Sequence, residues 1–111
     1  MTKAYPTLAE RKLARQRETD EAVRSLEQAL TAFARDKGGR YILFGSAATG
    51  RMAEHSDIDV IVDFPDEFRS EAIAFAEDEN WKRGLLPDVR PRDYCSDALI
   101  ADAVETGKIL S

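Results

Sequence analysis

The residues best suited to chemistry lie between positions 45 and 64, in the stretch GSAATGRMAEHSDIDVIVDF. Asp57 and Asp59 alternate along a β-branched run, so in a strand both carboxylates lie on one face with Cα atoms roughly 7 Å apart. Carboxylates paired in this way suit Mg²⁺, which takes one or two of them together with substrate phosphates. Asp57 and Asp59 are therefore predicted metal ligands.

A phosphate-binding turn is predicted at Gly45 and Ser46, which ten intervening residues separate from Asp57. Glycine permits close backbone approach, and a serine that opens a short helix offers a hydroxyl and free N–H groups to a phosphate. Gly50 completes a spacing that approaches the P-loop, but that loop requires Lys followed by Ser or Thr. Arg51 and Met52 stand there instead, so a P-loop is excluded.

The combination of Gly-Ser, ten residues and Asp-x-Asp on an apolar strand resembles the signature of the DNA polymerase β-type nucleotidyltransferase superfamily. The short chain is similar to the minimal nucleotidyltransferase (MNT) family, which includes MntA-type antitoxins paired with HEPN toxins. The resemblance covers about residues 40–110 and implies a nucleotidyltransferase fold. It also implies that Gly45 and Ser46 hold the nucleotide phosphates and that Asp57 and Asp59 ligate two Mg²⁺ ions.

A third carboxylate on a later strand is implied by the same resemblance, as general base and shared metal ligand. Asp88 is the best match for it, with Asp93 as the first alternative and Asp63 as the second. Many members of the family have an arginine directly after Gly-Ser, where this chain has Ala47. Arg51 is the predicted substitute for that phosphate contact.

The implied function is Mg²⁺-dependent transfer of AMP from ATP to a hydroxyl of a protein partner. A HEPN-type toxin with an acceptor tyrosine is the expected partner, which makes the chain an antitoxin. The alternative is a non-catalytic binding module that neutralises its partner by occlusion. An aminoglycoside-type transferase is a third hypothesis, disfavoured because the chain lacks a second domain to hold the drug.

Composition limits the classes of protein that fit. The 111 residues suit one domain, and 43% hydrophobic content against 33% charged content supports a small core. The formal net charge is −5, although residues 1–18 form a basic arm of +3. An acidic chain is not expected to take nucleic acid as its direct substrate.

The single cysteine and the lack of long apolar stretches indicate the expected compartment. Cys95 cannot form an intramolecular disulfide, and no window approaches the ~20 apolar residues that span a bilayer. A cytoplasmic protein without a membrane segment is therefore expected. The sequence leaves homo-oligomerisation open.

The elements that must position these residues form a small α/β (α+β) fold, a mixed sheet with helices packed against it. A helix is predicted from Leu8 to Gly38, either continuous or restarting near Thr19. Strands are predicted at 41–44, 57–64 and 85–90, and helices at 66–83 and between Ser96 and Gly107. Residues 1–39 form the predicted helical segment and 40–111 the catalytic core, with Trp81 expected inside.

Overall fold

The computed structural model describes residues 5, 7–49 and 57–111. Its elements, in chain order, are α1 (Leu8–Lys37), β1 (Arg40–Phe44), α2 (Ser46–Thr49), β2 (Asp57–Asp63), α3 (Asp66–Lys82), β3 (Leu86–Pro91), a 3₁₀ turn (Arg92–Tyr94), α4 (Asp97–Thr106) and β4 (Lys108–Leu110). Among these residues no helix is both long enough and apolar enough to cross a membrane.

The four strands form one mixed sheet in the order β3-β2-β1-β4. β1 pairs antiparallel with both β2 and β4, whereas β2 and β3 run parallel. The parallel pair is joined by α3, since a parallel connection needs a crossover segment. The predicted α+β class, a small mixed sheet with packed helices, is confirmed.

α1 is one continuous helix of 30 residues, which decides between the two predicted alternatives. Thr7 and Glu10 form a capping box at its start, with each side chain accepting a hydrogen bond from the other residue's backbone N–H. Gly38 ends the helix in the left-handed conformation, with φ 71°. The buried positions of α1 begin only at Val23, so its first four turns lie outside the core.

Helices cover both faces of the sheet. On one face, called here the α1 face, α1 and α3 pack against alternate strand residues: Tyr41, Leu43, Ile58, Val60 and Val62. On the other, called the α4 face, Ile42 and Ile61 pack against Ala103 of α4. Because strand side chains alternate between faces, Asp57 and Asp59 lie on the α4 face, beyond Ile61.

Two features depart from the sequence-based predictions. β4 was not predicted, because three residues after a helix-ending glycine carry too short a pattern to indicate a strand. The prediction for Trp81 was wrong, since its side chain is 59% exposed near the end of α3. Pro87 lies inside β3, which forms an edge of the sheet, as its missing N–H donor requires.

Candidate active site

Two of the predicted carboxylates meet where β2 and β3 run side by side. The parallel register places Asp59 opposite Asp88 and Asp57 opposite Leu86. Paired residues of neighbouring strands point to the same face, so all three aspartates lie on the α4 face near the start of both strands. Asp57 is exposed, whereas Asp59 and Asp88 are partly buried.

Gly45 borders this site on the side of β1. Phe44, the last residue of β1, pairs with Asp59, and Gly45 follows with φ 72°. A Cβ atom at Gly45 would lie 2.6 Å from Oδ2 of Asp59, which is closer than a side chain tolerates. Glycine is therefore favoured here by its backbone conformation, and any larger residue would have to displace this carboxylate.

Two of the predicted phosphate contacts cannot be placed. Ser46 opens α2 directly after Gly45, but its side chain lies outside the described part of the structure. Arg51 also lies outside the described residues. Ala47 is 4% exposed and belongs to the core cluster, so an arginine at this position would have to displace packed neighbours.

Burial, together with hydrogen bonds and neighbouring charges, sets the protonation of the paired carboxylates. Burial, followed by the hydrogen bond and the negative charge of Asp88, raises the pKa of Asp59 to about 6. The pKa of Asp88 is lowered, mainly by its hydrogen bonds from Arg90. When the pair holds one proton, Asp59 therefore carries it and donates to Asp88.

Arg90 is a site residue that the sequence analysis missed. It is two residues after Asp88 on the same face of β3, and its Nε and Nη2 donate to the two carboxylate oxygens at 3.3 and 3.0 Å. The signal was present in the sequence, because alternate residues of a predicted strand share a face. The positive charge of Arg90 partly offsets the negative charge of the three carboxylates in the cluster.

The two alternatives for the third carboxylate lie elsewhere. Asp63 is at the opposite end of β2, where it pairs with Arg40 at 2.7 Å. Asp93 is in the 3₁₀ turn after β3 and pairs with Arg69 at 2.8 Å. Of the three candidates, only Asp88 lies beside Asp59.

The donor chemistry of the cluster suits a divalent cation bound together with a substrate. Burial is the main cause of the raised pKa of Asp59, and the negative charges of Asp88 and Asp57 add to it, so a cation between these carboxylates would be stabilised. Within the described ranges, no group of three or more His, Cys, Asp or Glu side chains is arranged to hold a metal ion by itself. Mg²⁺ commonly uses one or two carboxylates and completes its ligands with substrate phosphates, so Asp59 and Asp88 fit that role.

We expect Arg90→Gln to strengthen divalent-cation binding in the absence of nucleotide. The substitution removes the positive charge that occupies Asp88, so the Mg²⁺ concentration for half-maximal thermal stabilisation should fall about three- to tenfold. Arg92→Gln is the matched control, because it makes the same change in net charge at Asp63, at the other end of the sheet. Equal shifts in both variants would contradict a local effect of Arg90.

The comparison with protein families agrees with this geometry. The family model described as "Nucleotidyltransferase domain" matches residues 23–110, a range that includes Gly45, Asp59 and Asp88. Among curated proteins, none matches the chain. The family match extends over well more than half of the sequence, from the middle of α1 to the end of β4. The chain therefore belongs to the nucleotidyltransferase domain family.

Proposed function

We propose that the chain transfers AMP from ATP to a hydroxyl of a protein partner, and that it is the antitoxin of a HEPN-type toxin pair. Family membership supports nucleotidyl transfer from a nucleoside triphosphate. The observation that carries the proposal is that Asp59 pairs with Asp88 across β2 and β3 and that Gly45, which begins the proposed phosphate-binding turn, lies against Asp59. Asp57, Asp59 and Asp88 are the proposed catalytic carboxylates.

The proposed reaction needs few groups from the protein. The acceptor oxygen forms a bond to the α-phosphorus of ATP, the bond from that phosphorus to the bridging oxygen breaks, and pyrophosphate leaves. The hydroxyl proton passes to Asp88, which must first separate from Arg90 to gain basicity. When bound by these carboxylates, Mg²⁺ would offset the negative charge of the triphosphate. The protein mainly positions the reactants.

The backbone around Gly45 has a separate role, which is to receive the triphosphate. Gly45 and Ser46 are the proposed contacts to the β- and γ-phosphates, with Arg51 as the proposed cation. Gly45 is exposed, so a phosphate can reach its backbone from solvent. A Cβ atom at Gly45 would touch Asp59, so the proposed metal ligand and the proposed phosphate-binding turn are neighbours.

Occlusion of a partner without catalysis is the second candidate function. It is favoured by the ion pair between Arg90 and Asp88, which occupies the third carboxylate. It is also favoured by Ala47, a small buried residue at the position where the resemblance implies a phosphate-binding arginine. Under this hypothesis the chain keeps the fold and binds its partner through its surface alone.

One experiment separates the two candidates. The chain is co-expressed with a HEPN-type toxin, and the intact mass of the toxin is measured after incubation with ATP and Mg²⁺. A gain of one or more AMP units, lost with Asp57→Asn, supports transfer. Neutralisation of the toxin that needs no ATP and survives Asp57→Asn supports occlusion instead. Asp57 is exposed, so its replacement should leave the fold intact.

A further inference from the structure

The two edges of the sheet differ in their capacity to pair with a further strand. β3 forms one edge and contains Pro87 and Pro91, which have no N–H to donate to a new strand. β4 forms the other edge and contains no proline. In the part of the chain that the structure describes, no strand pairs with the outer side of β4. Its outward N–H and C=O groups can therefore pair with a strand of another chain.

An apolar side chain lies at this open edge on each face of the sheet. Ile109 pairs with Ile42 and so lies on the α4 face, where it is 44% exposed. Leu110 lies on the α1 face, where it lines a cavity of about 370 Å³ beside α1. The residues of α1 that line this cavity, called here the outer flank, are Glu27, Gln28, Thr31, Ala32 and Arg35. α3 packs against the opposite flank of α1, where Phe33 stacks on Phe75, so the outer flank borders the open edge.

The outer flank runs alongside β4 in the same direction. At the start of β4, Nζ of Lys108 lies 3.0 Å from Oε1 of Glu27. Just after the end of β4, Nε of Arg35 donates to the backbone oxygen of Ser111 at 3.2 Å. Thr31 is halfway between Glu27 and Arg35, so it is level with the middle of β4. This alignment fixes which parts of α1 meet when two β4 strands pair.

We propose that β4 pairs with β4 of a second copy of this chain, antiparallel and about a two-fold axis through Ile109. All three residues of β4 are then paired, with Ile109 opposite its own copy and Lys108 opposite Leu110. Directly opposite residues share a face, so the two exposed isoleucines cover each other on the α4 face. The two four-stranded sheets become one continuous sheet. This inference does not depend on the proposed transfer of AMP.

The same axis brings together complementary charges on α1. It makes the two outer flanks antiparallel and centres them on Thr31, so Glu27 of each copy lies opposite Arg35 of the other. Because α1 packs over β1 and β4 and neighbouring strands are about 4.8 Å apart, the two helices lie about 10 Å apart, an ordinary packing distance. Thr31 and Ala32 have small side chains that allow this approach. A second copy therefore supplies a charge partner at both ends of the helix contact.

The contacts that these groups make within one chain leave room for the new ones. Glu27 accepts from Lys108 through Oε1 and has a second carboxylate oxygen, and Arg35 donates to Ser111 through Nε and has further N–H groups at its Nη atoms. A strand of a different protein would need its own cation beside Glu27 and its own acid beside Arg35, whereas a second copy has both. The candidate active site stays open, because its carboxylates are on β2 and β3, and β1 separates these strands from β4.

The first test measures self-association of the full chain by sedimentation equilibrium. Ile109→Lys places two like charges at the axis, and Leu86→Lys is its matched control, because Leu86 is similarly exposed, at 40%, on the other edge strand. We expect Ile109→Lys to raise the dissociation constant of the dimer at least about tenfold and Leu86→Lys to leave it within about twofold of wild type. Equal effects of the two substitutions would overturn the proposal. So would a wild type that stays monomeric at roughly 100 µM, a result that would leave the edge to a strand of a different protein.

The second test is a mixing experiment on the charge contact. Arg35→Glu and Glu27→Arg each place like charges opposite one another in a dimer of identical copies, so each variant alone should associate about tenfold more weakly than wild type. In an equimolar mixture, a dimer of one copy of each variant pairs opposite charges at both contacts, and its dissociation constant should return to within about threefold of wild type. Circular dichroism checks that both variants are folded. If the mixture associates no better than either variant alone, the proposed axis is wrong.

Discussion

Asp59→Asn is expected to lower AMP transfer at least about 1000-fold while leaving the chain folded. Asp59 lies at the centre of the site, because it pairs with Asp88 of β3 on one side and Gly45 lies against its Oδ2 atom on the other. An asparagine keeps the shape but removes the negative charge, and losses of this size follow removal of a group that stabilises developing charge in the transition state. Transfer is measured with labelled ATP and the proposed partner, a HEPN-type toxin, as acceptor.

Asp63→Asn is the matched control for this variant. Asp63 lies on the same strand and the same face, but at the opposite end, where it pairs with Arg40. We expect Asp63→Asn to retain transfer within a few-fold of wild type and to lose a little thermal stability with its ion pair. Retention of full transfer by Asp59→Asn, or equal losses in both variants, would exclude Asp59 from catalysis.

In the absence of metal, Asp59→Asn should raise the free energy of unfolding, although it lowers AMP transfer. The pKa of Asp59 is raised from 3.8 to about 6 by burial and by Asp88, so the folded chain holds a proton there that the unfolded chain releases. The free energy of unfolding of the wild type should therefore fall as the pH rises through this interval. Asp59→Asn removes the group that titrates, so this fall with pH should be absent from the variant. Denaturant titrations of both proteins at several pH values measure it.

The sequence shows the alternating apolar residues of the strands and the helical spacing of apolar residues in α1. It does not show which strands pair with each other. Asp57 and Asp59 could be placed on one face because both lie in one strand. Asp88 could not be chosen over Asp63 and Asp93 in that way, because only the register between β2 and β3 brings a residue beside Asp59.

The features that sequence analysis missed depend on contacts between distant segments. β4 has three residues, and it becomes a strand because β1 offers an unpaired edge next to it. Trp81 lies near the end of a helix whose buried residues are mainly small alanines, so its position in the sequence did not indicate exposure. The contact between Gly45 and Asp59 is of the same kind, because it joins β1 to β2 across the sheet.

Because of the contact between Gly45 and Asp59, Gly45→Ala is the second substitution expected to have a large effect on AMP transfer. The added Cβ atom would lie 2.6 Å from Oδ2 of Asp59, so the carboxylate has to rotate away from its place beside Asp88. Displacement of a catalytic group by about 1 Å can cost on the order of 100-fold in rate. We therefore expect AMP transfer by Gly45→Ala to fall about 100-fold.

Gly38→Ala separates this steric effect from backbone strain. Gly38 has φ 71° and Gly45 has φ 72°, so both substitutions place alanine in the left-handed conformation at a cost of roughly 1 kcal/mol. A Cβ atom at Gly38 meets nothing within 4 Å, whereas one at Gly45 meets Asp59. Both variants should lose thermal stability through this strain, any further loss in Gly45→Ala should come from its contact with Asp59, and only Gly45→Ala should lose transfer. A parallel loss of transfer in Gly38→Ala would mean that strain, rather than the position of the Asp59 carboxylate, controls the rate.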